Sequence, residues 1–578
     1  MFSKKWTTSE RRYGVVVERD VKITMSDGIQ LCADIYRPDS DGKFPAILSP
    51  NPFTPYQAAP MKPAGMGLYG GRTRGPFESG DPSFYVRRGY VHVICSVRGT
   101  GKSGGKYTFV GPREVKDVCE VIEWMTKQPW CDANIGMFGV SYFAWIQLFA
   151  ASLNPPHLKC IFAPWGATDL YRDMLYHGGI LSLFWAFSFV KASLRDGWPL
   201  VRPENYTREE LGEEGLKNAI DRALQDEDIA RVPRLVEVLR NPNAEENPLI
   251  VDFLLHPLYG SYWKERNIAL ENIKVPAYIG ADWSLYGVHL PGAFRSWERL
   301  KVPKKMIIGP PGYLDRPVYQ MQYESLRWFD HWLKGMDNGI MDEPPIRLFV
   351  LDTGEWKEAK DWPLPETKWT PFYLHEYGLL SEHEYWPNEG SDSFEDSPWH
   401  RGYLTYSSPS LVENTEVIGP STLNLYASTT DPEVLWFISL RESDPQGNEK
   451  VLTRGWLRGS HRDVDTSFSK PWQPVHPHTK SEPLIPNRIY EFTIPIIPTG
   501  ILLKAGFKIG VRISCSDDEV KEIFESLASD HVKRQSPSRV TIYRNADYPS
   551  HLLLPITKGN ILGTFISGGK VGAPWSSQ

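Results

Sequence analysis

Ser141 stands in Gly139-Val140-Ser141-Tyr142-Phe143-Ala144, after the short apolar run Ile135-Gly136-Met137-Phe138 and before Trp145, Ile146, Leu148 and Phe149. A buried run ending in glycine, a serine, then an apolar helical stretch predicts a strand that turns sharply into a helix with the serine at its apex. A hydroxyl held there can attack a carbonyl if a base takes its proton. Such turns favour glycine where backbones approach closely, and the second half of this one carries Phe143 and Ala144 instead.

The surrounding elements must place that serine. Residues 20–38 alternate around Ser26-Asp27-Gly28, a hairpin pattern, and Pro45–Pro50 and Tyr90–Cys95 are apolar runs typical of strands covered on both faces. Apolar residues at 115, 118, 121, 122 and 125 give Val115–Lys127 a helical period. Strand, helix, strand, turn and helix imply a parallel sheet. Residues 169 to about 270 read as an all-helical insertion, after which 275–280 and 305–310 resume the sheet. The aromatic stretch Gly179–Phe189 within it reads either as helix core or as the lid of an apolar pocket. From about residue 345, alternating segments between Pro/Gly turns read as a β-sandwich, and 386–400 as a mobile loop.

The expected architecture is therefore α/β. A sheet-based core spans 1–168 and 272–345, a helical cap 169–271, and a β-sandwich 346–578. The 578 residues are 41% hydrophobic, 23% charged and 13% aromatic, with 21 Trp and a net charge of -6. That balance gives no electrostatic reason to expect nucleic acid or an anionic membrane as partner, so a small-molecule substrate is expected, with homo-oligomerisation left open. The six cysteines are scattered without C-x-x-C pairs, which fits free thiols better than a disulfide framework or a metal site. Neither a signal-peptide core nor an apolar run of about 18 residues is visible, so a cytoplasmic location is expected. No cofactor is expected.

The motifs together resemble the cocaine esterase and X-prolyl dipeptidyl aminopeptidase (CocE/NonD) family of serine hydrolases. The likeness runs through Met25–Leu31 with Asp34–Pro38, Arg98–Gly105, Ile122–Trp124 with Gln128–Asp132, the serine turn, Phe329–Gly335 and Gly455–Arg462. It implies an α/β-hydrolase core, an inserted helical cap and a C-terminal jelly-roll domain. It also implies acyl transfer by a Ser–His–Asp triad, with an oxyanion hole made by the amide after the serine and a tyrosine hydroxyl.

Carried over residue by residue, the nucleophile is Ser141 and the first oxyanion donor is the Tyr142 N–H. The family's aspartate, anchored on Val275-Pro276-Ala277 and Trp283, falls on Leu285, and its histidine, anchored on Gly309-Pro310, falls on Tyr313. Leucine cannot orient an imidazolium, and a phenol is a poor base at neutral pH. Asp282 reads as a replacement acid or as a local turn carboxylate, and His289 as a base approaching from the loop or as a structural histidine. Asp315 with Arg316 read as a local ion pair, and His331 as structural. The second oxyanion donor is Tyr56, with Phe53 in the alternative register, and Ser96 stands where the family has Asp before Arg-Gly. Loss of both triad partners leads to the expectation of non-hydrolytic chemistry on a small, largely apolar carbonyl or polyene compound of secondary metabolism. Cyclisation, isomerisation, elimination and C–C cleavage all fit. An esterase or amidase with relocated acid and base, and a catalytically silent binding protein, are the alternatives.

Overall fold

The structure is a computed structural model that describes residues 5–52, 77–189, 205–244, 247–311, 321–384, 390–518 and 529–560. Its first sheet has ten strands in the order β1-β2-β4-β3-β5-β6-β9-β10-β11-β12. In chain order these are β1 (Val15–Thr24), β2 (Gln30–Pro38), β3 (Phe44–Asn51), β4 (Val91–Ser96), β5 (Cys131–Phe138) and β6 (Leu158–Pro164). Then follow β9 (Ala277–Asp282), β10 (Lys304–Gly309), β11 (Ile346–Val350) and β12 (Glu355–Ala359). The pairs from β4–β3 through to β10–β11 are parallel, while the hairpins at both edges are antiparallel. β3 and β4 are buried at every position, as strands covered on both faces must be.

Helices α1 (Pro82–Val86), α2 (Pro112–Thr126) and α3 (Tyr142–Ser152) pack on this sheet. The apolar positions 115, 118, 121, 122 and 125 of α2 are its buried face, and α3 is buried throughout, so its uniformly apolar sequence needs no polar side. Serine sits at the carboxyl end of β5, in mid-sheet, where open α/β sheets place their ligands.

Residues 169–271 are not wholly helical. Helices α4 (Tyr206–Ala223), α5 (Pro233–Arg240) and α6 (Asn247–Leu255) are joined by a small hairpin of β7 (Tyr176–His177) and β8 (Ile180–Leu181). The start of the aromatic stretch is thus extended. Leu183 N donates to Asp530 O and Val532 N to Leu181 O, so main-chain pairing to the C-terminal domain won over helical period.

Two further expectations change. β11 and β12 extend the first sheet, so the core runs past residue 345. Residues 391–397 form a strand paired with 538–543. The C-terminal region is a second sheet of thirteen strands, in which the long strand Thr415–Thr429 pairs with 490–503, 540–543 and 551–558 and so closes it on itself. Buried ion pairs tie this domain to the cap: Asp228 takes Arg458 at 2.6 Å and Arg534 at 3.1 Å. All six cysteines are free, and among the described residues no helix is long and apolar enough to cross a membrane.

Candidate active site

β5 ends at Phe138, and the chain reverses through Gly139 (φ 137°), Val140 and Ser141 into α3. Ser141 has φ 58° and ψ -123°, a region a non-glycine residue occupies only when its surroundings over-determine it. Those surroundings are explicit. Val140 N donates to Glu78 O at 3.1 Å, Phe143 N to Val140 O at 3.1 Å, and the amides of Ala144 and Trp145 both reach Ser141 O. Gln147 Nε2 holds Gly139 O at 2.9 Å. A Cβ on Gly139 would meet that of Phe143 at 2.5 Å, so this glycine is sterically required. The close approach expected to need a glycine near Ala144 is met from the other side: a Cβ on Gly166 would lie 3.3 Å from Ala144 Cβ.

Among the described residues, the Tyr142 N–H donates to no acceptor, as the first amide of a helix must unless something caps it. It points its positive end where an oxyanion would form, supported by the helix dipole. Ser141 Oγ likewise has no hydrogen-bond partner among the described residues, so no imidazole holds it there.

The face of α3 beside the serine is aromatic and short of partners. Phe109 meets Tyr142 and Trp145 edge-on at 6.3 and 6.0 Å, and Phe253 of α6 closes on Phe109 from the cap at 6.2 Å. Tyr142 OH, Trp145 Nε1 and His289 Nδ1 are all sealed from solvent without a hydrogen bond. Buried polar groups in native proteins are nearly always satisfied, so three without a partner among the described residues mark this region as unusual.

His289 caps α7 (Leu290–Arg299), is 4% exposed, and has its ring 6.3 Å from that of Trp145. It is therefore not a surface histidine, and among the described residues no carboxylate holds it. Burial pushes its pKa down to about 3, so it is neutral near pH 7. Asp282 ends β9 and is fully buried; its carboxylate accepts Trp165 Nε1 at 3.2 Å and the Ser284 N–H at 2.9 Å. Those bonds are a local turn and a strut to β6, the structural alternative for this residue. Leu285, onto which the triad aspartate is expected to fall, is fully buried. Tyr56, Phe53, Tyr313, Asp315 and Arg316 lie outside the described residues. His331 Nδ1 faces Met336 O at 3.2 Å, a helix-end contact away from the serine.

Sequence reasoning missed Glu78. Its carbonyl braces the serine turn, its Oε2 is sealed and unpaired, and burial pushes its carboxyl up to about 8. Kept neutral near pH 7, the carboxyl can donate a hydrogen bond. Nothing in its local spacing announces this, because the relation is made across the fold.

A mid-sheet serine on a strained strand-to-helix turn, with a free amide behind it and a cap above, defines an α/β-hydrolase-fold protein. The description X-Pro dipeptidyl-peptidase (S15 family) matches residues 27–313, and the X-Pro dipeptidyl-peptidase C-terminal non-catalytic domain matches 338–553. The chain is 26% identical over 606 aligned residues to the cocaine esterase of Rhodococcus sp. (strain MB1 Bresler), covering 94% of this chain and 99% of that one. A putative Xaa-Pro dipeptidyl-peptidase of Bacillus anthracis is 24% identical, covering 80% of this chain and 73% of its own. The crystal structure of a CocE/NonD family hydrolase from Staphylococcus aureus superposes with a TM-score of 0.79 at 28% identity, covering 94% of each chain. The chain belongs to the CocE/NonD family of hydrolases.

Proposed function

We propose that the protein is a serine esterase that cleaves an ester carrying a bulky, largely apolar group, with Ser141 as nucleophile. The observation that supports it most directly is the strained Ser141 backbone with the undonated Tyr142 N–H behind it, an arrangement that is useful for carbonyl addition. The neutral aromatic wall of Phe109, Tyr142, Trp145 and Phe253 suits an ester better than the ammonium group of a peptide substrate. Relatives named as an esterase and as dipeptidyl-peptidases agree with acyl transfer as the reaction class. In this reading His289 is the imidazole that receives the serine proton, and Glu78 supplies a second hydrogen bond to the oxyanion.

A second reading is favoured by a specific observation: Leu285 is apolar, Asp282 is engaged in a local turn, and His289 Nδ1 has no carboxylate. On that basis the same pocket would polarise a carbonyl for non-hydrolytic chemistry, cyclisation, isomerisation, elimination or C–C cleavage, with Tyr313 and Tyr56 as further hydroxyl donors. The test is turnover of p-nitrophenyl esters of increasing acyl length. Turnover that disappears in Ser141→Ala establishes the esterase. Esters left untouched, together with loss of conversion of a carbonyl or polyene substrate in Tyr313→Phe, would establish the second reading.

A further inference from the structure

The C-terminal domain meets the cap along residues 530–532, and a chain of three polar side chains runs through that seam. Asp517 accepts the His531 N–H at 2.9 Å with one carboxylate oxygen and faces His531 Nδ1 at 2.9 Å with the other. His531 Nε2 lies 2.8 Å from His177 Nδ1. His177 Nε2 then faces two carbonyl oxygens, Gly287 O at 3.0 Å and Asp173 O at 3.3 Å. The Trp185 indole N–H reaches the same Gly287 O at 3.2 Å.

Counting protons fixes how many the chain holds. Carbonyl oxygens only accept, so His177 Nε2 carries a hydrogen. The His177–His531 contact needs one proton, and the His531–Asp517 contact another. Three protons on two imidazoles is one more than two neutral rings hold, and the third balances the Asp517 carboxylate. The third proton lies between His531 and Asp517, and the His531 ring is set against Trp456 and Phe437 with centroids at 5.6 and 5.5 Å. Burial alone would raise the Asp517 carboxyl, yet the charge and hydrogen bonds of His531 leave it below its ordinary range. Arg454, paired with Asp518 and Tyr286, also lends positive charge to the Asp517 carboxylate, and Arg295 pairs with Asp173 on the core side.

We propose that Asp517, His531 and His177 form a charged positioning chain through which the C-terminal domain fixes the Gly287 carbonyl, and with it the turn from Leu285 to His289 beside the candidate site. The amides of Val288, His289 and Leu290 all point to Leu285 O, so holding the Gly287 carbonyl within this closed turn holds the turn. Its bearing on catalysis rests on the esterase reading; the chain itself does not.

Two variants separate charge from connection. In Asp517→Asn the amide oxygen can take the His531 N–H while the NH2 donates to Nδ1, so every link survives with neutral rings. In Asp517→Ala the last link is lost. Full-length protein labelled with 15N-histidine is expected to show, at pH 7, an imidazolium signal that vanishes in both His531→Gln and Asp517→Asn. Hydrogen exchange of the 285–290 amides is expected to stay within about twofold of the parent in Asp517→Asn and to quicken about tenfold or more in Asp517→Ala, one lost hydrogen bond being worth about that. Phosphonate labelling of Ser141 should slow about 10–100-fold in Asp517→Ala alone, the cost of a small misplacement. A neutral His531 in the parent, or equal exchange in the two Asp517 variants, overturns the proposal. Should Asp517→Ala not fold, the histidine spectra of the parent and Asp517→Asn decide it. Absent Ser141 labelling in the parent removes the esterase reading and leaves the spectra and exchange to judge the chain.

Discussion

His289 and His531 are both buried histidines, and they are equipped in opposite ways. His289 lies against Trp145 on the wall beside the serine, with Nδ1 sealed and unpaired. His531 lies in the seam between cap and C-terminal domain, with a carboxylate on one nitrogen and a second imidazole on the other. Among the described residues, then, one of these two histidines has an acid partner and the other has none. A buried imidazole with no carboxylate beside it stays neutral, whereas one with a carboxylate can hold a charge in the interior. The difference teaches that burial alone does not set what a histidine can do; the groups on its two nitrogens do.

The largest effect should come from Ser141→Ala, which is expected to lower ester turnover by about 10³-fold or more, the scale of removing a nucleophile. Turnover that survives would move the chemistry off the elbow. Next comes Leu285→Asp, which makes His289 resemble His531. Leu285 is fully buried, so the carboxylate is expected to cost about 2–5 kcal/mol in stability, read as a lower melting temperature. Its charge should also draw the His289 pKa up from about 3 and raise kcat by about tenfold, with the acid limb of the pH–rate profile shifting to higher pH. An unchanged kcat in folded Leu285→Asp would separate His289 from the reaction.

Much of this was legible in the sequence where pattern and environment coincide. The hairpin around Asp27-Gly28, the buried strands, α2 and the serine turn all form where period and turn chemistry place them, because local preference and burial agree there. The stretch from Gly179 failed because its first residues satisfy their backbone by pairing with 530–532, a partner that periodicity cannot see. β11 and β12 were read as sandwich because an alternating strand does not declare which sheet it joins. At the site, Ser141 and the Tyr142 amide could be named from one hexapeptide. Glu78 and the Asp517–His531–His177 chain could not, since each depends on contacts between segments far apart in the sequence.

Two smaller effects follow from proton linkage. His289 has a folded pKa of about 3, below the ordinary histidine value, so its contribution to stability is complete above about pH 6.5 and falls as the unfolded chain takes up a proton between there and about 3. Replacing it with Gln should flatten stability against pH in that window by up to about 1.4 kcal/mol per pH unit, measured by chemical denaturation; an unaltered slope would mean the ring is not buried as described. Glu78 has the opposite sign. Its folded pKa of about 8 lies above the ordinary carboxylate value, so its protonated form is favoured in the fold and stability is lost as pH rises from about 4.5 to about 8. Glu78→Gln removes the titration while keeping a donor at the same place. It is expected to stabilise the protein by about 1–3 kcal/mol at pH 7, to leave stability unchanged near pH 4, and to abolish the downward slope between those values. If the neutral carboxyl also serves as an oxyanion donor, ester turnover in Glu78→Gln should persist at pH 9, where the parent's carboxyl has ionised and its oxyanion hydrogen bond is gone. A variant that loses activity in step with the parent above pH 8 would assign Glu78 to bracing the turn alone.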